Sequence, residues 1–186
     1  MIQARKCKIK TIEASVCNRF LAKYHIQGKD NGQYRYGLFY KNRLVSVMTF
    51  RKPQLALGQD SKADYMELSS FCTVSNFKVI YAAERLLNAF IKEHKPTKVI
   101  SYADKRWSVG DLYNKLGFTF VHNTPISYAY TKDFMSREYR FKYAKHTLKE
   151  KFENFNPELT EWENMQANSY YRIWDCGNEL YEKTTV

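Results

Sequence analysis

Residues 98–118 read KVISYADKRWSVGDLYNKLGF, and the fold is decided there. Val99-Ile100-Ser101-Tyr102-Ala103 is a short, β-branched apolar run with the character of a buried strand. Asp104-Lys105-Arg106-Trp107 interrupts it with turn residues. Ser108 and Asp111 have the spacing of a capping-box pair, and Leu112, Tyr113 and Leu116 share one face of the short helix they would open. Gly117 stands where a helix favours a left-handed residue, and 118–121 starts another apolar run. The order is strand, polar turn, capped helix, glycine stop, strand.

The chain around this stretch has 186 residues, enough for a sizeable core. Its hydrophobic content is 44%, with 15 Tyr and 12 Phe, and its mean hydropathy is −0.60. No run approaches the ~18 apolar residues of a membrane span. The opening MIQARKCKIK lacks the apolar core of a signal peptide. A cytoplasmic location is therefore expected. Cys7, Cys17, Cys72 and Cys176 form no C-x-x-C pair, and His25, His94, His122 and His146 are scattered. Neither a metal site nor a disulfide framework is expected, and Cys72 and Cys176 read as small buried residues.

Charge is the informative part of the composition. The net charge is +11 and very unevenly placed: residues 1–52 carry +10, whereas 152–186 carry −5. A field this lopsided favours a polyanion partner, because each neutralised phosphate releases counterions. Nucleic acid, DNA in particular, is the expected partner. Lys23, Lys29, Arg35, Lys41, Arg43, Arg51, Lys52, Lys105, Arg106, Arg140, Lys145 and Lys149 are the candidate contacts. Tyr24, Tyr34, Tyr36 and Tyr40, interleaved with these cations, suit base stacking and equally suit ordinary strand packing.

Outward from the opening stretch, residues 1–10 suit an edge strand or a mobile segment. Val16, Phe20, Leu21 and Tyr24 give 12–24 helical spacing, ended by Gly28. Residues 34–40 and 43–50 are strands joined as a hairpin at Lys41-Asn42. Residues 53–63 form a long connection, and 65–74 is a further strand. Ala82, Ala83, Leu86, Leu87, Phe90 and Ile91 form the stripe of a helix over 79–93, stopped before Pro96. After a run at 126–130, residues 137–152 read as one basic amphipathic helix. Thr160 and Glu163 form a capping box for a short helix through Met165, and 170–175 suits a last strand turned by Gly177.

Tyr113 four residues before Gly117-Phe118, on a helix after a central strand, resembles the second half of the GCN5-related N-acetyltransferase (GNAT) fold. Several phrases narrow the similarity: Tyr24-His25-Ile26-Gln27-Gly28, Gly37-Leu38-Phe39-Tyr40, 44–50, Glu67-Leu68, 101–108, Thr160-Glu161-Trp162-Glu163 and 172–178. Together they resemble the GNAT-like domain found in phage-encoded homing endonucleases and, more distantly, the Mom family of phage DNA-modification proteins. The resemblance implies an α/β (α+β) fold with a mixed, mostly antiparallel central sheet flanked by helices. It divides the chain into a GNAT-like domain over 1–131 and a basic helix with a C-terminal helical extension over 132–186, packed on the same domain. It also implies the cytoplasm of an infected bacterium.

In that family an acyl-CoA pyrophosphate lies on a glycine-containing loop at a helix N-terminus. The matching positions here are Lys78, Tyr81, Ala82 and Ala83. Tyr81 takes the place of the key glycine, Glu84 adds a carboxylate, and Ser70 replaces the relatives' arginine. No cofactor is therefore expected, or acetyl-CoA if the chain is a transferase. Tyr113 is the residue that would protonate the leaving thiol; it also suits a core aromatic. His25 and Asp104 match the acceptor side as base and orienter; each also suits a local role, Asp104 as the cap of the turn before Trp107. The first expectation is a DNA-binding protein with a degenerate acyl-CoA site. The alternatives are a Mom-like N-acyltransferase modifying a nucleic-acid base, and a phage module acting on a host protein.

Overall fold

The computed structural model describes residues 1–53 and 64–185, so the expected 53–63 connection lies almost wholly outside the described residues. In chain order the strands and helices are β1 (Ile2–Gln3), β2 (Lys8–Thr11), α1 (Ala14–Tyr24), β3 (Tyr34–Tyr40), β4 (Arg43–Arg51), β5 (Tyr65–Thr73), β6 (Val79–Ile80), α2 (Ala82–His94), β7 (Lys98–Asp104) and α3 (Asp111–Lys115). They continue with β8 (Thr119–Asn123), β9 (Tyr128–Thr131), β10 (Glu138–Tyr139), α4 (Lys145–Leu148), α5 (Glu161–Ala167), β11 (Tyr171–Trp174) and β12 (Asn178–Thr184).

Contacts gather these elements into two compact units. One comprises 1–103, 109–122 and 179–186; the other comprises 104–108 and 123–178. The division differs from a boundary after residue 131, because β9 pairs with β10 and β11 in the second unit.

The first unit is built on a seven-stranded sheet in the order β2-β3-β4-β5-β7-β12-β8. Pairing is antiparallel from β2 to β5 and parallel between β5 and β7. The β3–β4 hairpin turns at Lys41 and Asn42, both at positive φ, as a two-residue turn matching strand twist requires. Side chains alternate across the sheet. Phe50 stacks on Phe90 of α2, ring centroids 3.7 Å apart. Tyr36 lies edge-on to both rings and its hydroxyl reaches Glu93 and His94 at 2.8 Å. Residues of opposite parity, Val47 and its partner Cys72, turn to the other face, where α1 brings Cys17, Phe20 and Leu21 into the core. Burial pushes the Cys17 thiol up to about 11 and the Cys72 thiol up to about 12, so neither supplies a thiolate near neutrality.

The second unit packs β10-β9-β11 against α4 and α5 around Tyr130, Tyr143, Leu148 and Met165. Thr160 and Glu163 complete the expected capping box. The single basic helix expected over 137–152 does not form. Residues 138–139 are β10, Arg140–Tyr143 make one tight 3-10 turn, and Ala144 is extended (φ −57°, ψ 141°) before α4. Burying both Tyr143 and Leu148 requires that break, and the polar stripe gave no sign of it.

Three other expectations change. Gly110, not Ser108, caps α3, and no side chain caps that helix. Residues 79–80 are not helical but pair in parallel with Ile2–Gln3. Cys176 is exposed. No helix among the described residues is long and apolar enough to cross a membrane. Phe90→Ala should lower unfolding free energy by about 3–5 kcal/mol in urea titrations, against about 1 kcal/mol for Thr160→Ala.

Candidate active site

The site begins where two parallel strands part. β5 and β7 pair at Tyr65–Lys98, Met66–Val99 and Glu67–Ile100, and their register stops there. Just beyond, the Ser101 side chain takes over from the backbone, its Oγ 2.8 Å from the Leu68 carbonyl oxygen. On the other edge of β5 the register slips, with Phe50 opposite Leu68 and Thr49 opposite Ser70, so that Ser69 is an extra, bulged residue. A bulge bends its strand and raises the local twist, which turns β5 away from β7.

A cavity of about 670 Å3 opens beside the parted strands. Phe71 and Thr73 of β5, residues 78–84, and Leu112, Lys115 and Leu116 line it. α2 starts at this cavity from Tyr81, which adopts the left-handed conformation (φ 59°, ψ 22°) and gives no side-chain cap. The backbone turn associated with glycine is therefore made by a tyrosine, at a conformational cost of about 1 kcal/mol. Tyr81 is 68% exposed, so its ring does not fill the space in front of the helix. The first amides of α2 have no helical partner and form the positive end of the helix dipole. Glu84 is exposed to solvent, where its charge is screened; Lys78 and Lys115 line the same cavity. The lining offers free helix amides and two lysines to an anionic group, and an apolar wall beside them.

α3 carries Tyr113. Its hydroxyl lies 3.0 Å from Ser101 Oγ and 3.3 Å from the Tyr102 carbonyl oxygen, at the parting of the strands. Burial pushes the phenol up from its usual range, with the Glu67 charge adding to the rise and the Ser101 bond opposing it. Tyr181 stacks on the Tyr113 ring at 4.9 Å, and Phe118 meets it edge-on at 5.7 Å. Gly110 makes this stack possible: its φ is +78°, and a Cβ there would lie 1.9 Å from Tyr181 Oη.

A polar network occupies the strands on the side of the bulge. Arg51 donates to Glu67 Oε1 from Nε at 3.0 Å and from Nη2 at 2.5 Å. Glu67 is 3% exposed, and its Oε2 has no partner among the described residues. Asp30 accepts from Thr49 Oγ1 at 2.5 Å and from Ser69 Oγ at 2.7 Å. In the sequence, the lone acid in the apolar run YMELSSFCT is the sign of Glu67; nothing comparable marks Asp30.

His25 is the C-cap of α1, its Nδ1 accepting from the Gln27 amide at 3.2 Å. Burial pushes its imidazole down, partly offset by Asp30. Asp104 accepts from the Arg106 amide, Nε and Nη2, and the guanidinium holds its carboxyl below the usual range. His25 belongs to the first unit and Asp104 to the second. Among the expected nucleic-acid contacts, Arg51 is committed to Glu67, Arg106 to Asp104, and Arg140 sits 4.6 Å over the Tyr128 ring. Arg35 is half-buried, whereas Lys23, Lys29, Lys41, Arg43, Lys52, Lys105, Lys145 and Lys149 are exposed.

No family model and no curated protein matches the chain. Solved structures do match in fold. A Bacillus subtilis acetyltransferase in complex with CoA aligns over 96% of this chain and 99% of its own, with TM-score 0.52 and 13% identity. The ribosomal-protein-S18-alanine N-acetyltransferase of Escherichia coli aligns over 96% and 94%, with TM-score 0.54 and 10% identity. An N-acetyltransferase from Staphylococcus aureus aligns over 97% and 99%, with TM-score 0.52 and 11% identity. The chain has the GNAT fold: a mixed, mostly antiparallel sheet flanked by helices.

Two substitutions test how the site is held. Tyr81→Gly should raise stability by about 1 kcal/mol by relieving the left-handed tyrosine. Gly110→Ala should lower it by about 2–4 kcal/mol and displace Tyr181 from Tyr113. Urea unfolding reads the first, and near-ultraviolet circular dichroism with unfolding reads the second.

Proposed function

We propose that the protein is an acyl-CoA-dependent N-acyltransferase. The observation that carries this reading is the cavity of about 670 Å3 between β5, α3 and the uncapped start of α2. It favours the transferase over a scaffold that has lost its donor site, because Tyr81 preserves the backbone turn and leaves the helix start open. The fold shared with N-acetyltransferases, one of them bound to CoA, supports the same reading.

Acyl-CoA supplies an activated thioester when bound. The chain's own groups would serve the transfer from the parting of the strands. Tyr113, whose Oη accepts from Ser101 Oγ and donates to the Tyr102 carbonyl, would pass that proton to a departing thiolate. Glu67 Oε2, buried and without a partner among the described residues, would take the proton of an attacking amine, while Arg51 fixes the carboxylate through Oε1. The acceptor within this proposal is an exocyclic amine of a nucleic-acid base, which the resemblance to Mom-type proteins implies and the +11 charge suits.

Calorimetry with acetyl-CoA should give saturable binding; absence of heat at millimolar ligand removes the reading. Once an acceptor is in hand, Tyr113→Phe should lower kcat about 100-fold with KM little changed. The raised phenol keeps its proton below the ordinary tyrosine pKa of about 10. Wild-type kcat should therefore hold through that pH and fall only as pH rises through the elevated value, and Tyr113→Phe should abolish that alkaline fall.

A further inference from the structure

On the first unit, four cations that line no part of the donor cavity converge, with no anion among them. β2 is the outer strand of the seven-stranded sheet and, among the described residues, pairs only with β3, Lys8 opposite Phe39 and Lys10 opposite Gly37. Lys6 precedes that strand, and Lys41 lies in the turn that ends β3. Lys6, Lys8, Lys10 and Lys41 line a concavity of about 170 Å3 with Phe39 and Asn42. Lys10 Nζ lies 5.4 Å from the Phe39 ring centroid, and Lys41 Nζ lies 5.7 Å from that of Tyr40. Among the described residues no carboxylate pairs with any of the four.

Lysines on an outer strand discourage pairing with other chains, which accounts for Lys8 and Lys10. It does not account for their meeting Lys6 and Lys41, from two other segments, around one concavity. Unneutralised like charges repel, so the arrangement costs stability until an anion enters. Lys8 and Lys10 stand on one face about 7 Å apart along the strand, a spacing suited to successive anions on an extended polymer.

We propose that this concavity seats the phosphodiester backbone of a nucleic acid. Ammonium groups take phosphate oxygens as point charges, without base specificity. Asn42 adds an uncharged amide to the wall. The proposal deepens the nucleobase-acceptor reading by placing contacts that would hold the polymer. Its test contains no acyl donor, so failure of acyl transfer and failure of this surface are read separately.

Fluorescence anisotropy with a labelled 20-base-pair duplex, using the full chain, measures affinity from 50 to 200 mM salt. Four phosphate contacts predict a loss of about 150-fold across that range. The triple variant Lys8→Gln, Lys10→Gln, Lys41→Gln should lose only about 3-fold, from a weaker start, one contact remaining. The charge-retaining triple Lys→Arg variant should restore the wild-type slope, which separates loss of contacts from loss of folding. An unchanged salt dependence in the glutamine variant overturns the proposal. So does competition by polyglutamate at the same charge concentration as effectively as by DNA, which would point to an acidic protein partner. Unaltered DNA binding with new self-association would leave the lysines as strand protectors alone.

Discussion

The hydroxyl of Ser101 against the carbonyl of Leu68 marks the constraint on which the site depends. Parallel strands satisfy each other's backbone groups as long as they run side by side, and a buried carbonyl without a donor costs free energy. β5 and β7 stop pairing after Glu67 and Ile100. Leu68 is the first carbonyl of β5 beyond that register, and a side chain satisfies it. The bulge at Ser69 turns the rest of β5 away. The same serine holds the hydroxyl of Tyr113, so the element that closes the backbone accounting also aims the candidate proton donor.

Alternation across the sheet then separates two chemistries. Phe50, Tyr36 and Phe90 make a dry aromatic stack under α2. The neighbouring residues of opposite parity, Thr49 and Arg51, meet Asp30 and Glu67 instead. A buried ion pair is weak as a stabiliser, since desolvation offsets its attraction. Its value here is positional: Arg51 fixes one oxygen of Glu67 and leaves the other open.

Both helices at the cavity start from left-handed residues without a side-chain cap, Tyr81 for α2 and Gly110 for α3. Gly110 is required by the contact with Tyr181. Tyr81 is not required by packing, since its ring is mostly in solvent. Strain kept at the entrance of a cavity, without a packing reason, is the kind of departure from local preference that functional sites show.

Much of this was legible in residue order. The strand at 99–103, the helix bearing Tyr113, the Lys41-Asn42 hairpin and the Thr160 capping box follow from periodicity and from turn and cap chemistry, which are local properties. What lay beyond reach was decided by distant partners. The stretch 137–152 is broken because Tyr143 and Leu148 must both be buried, and 79–80 is a strand because Ile2–Gln3 lies beside it. The glycine-to-tyrosine change at 81 read as a blocked cradle, since sequence gives a side chain's size but not its direction; the backbone turn survives and the ring points to water. In the sequence Glu67 enters only in the phrase Glu67-Leu68, and Arg51, sixteen residues away, reads as a nucleic-acid contact. Only the antiparallel register of β4 and β5 makes them partners, because burial and pairing are properties of the assembled sheet and not of either strand alone.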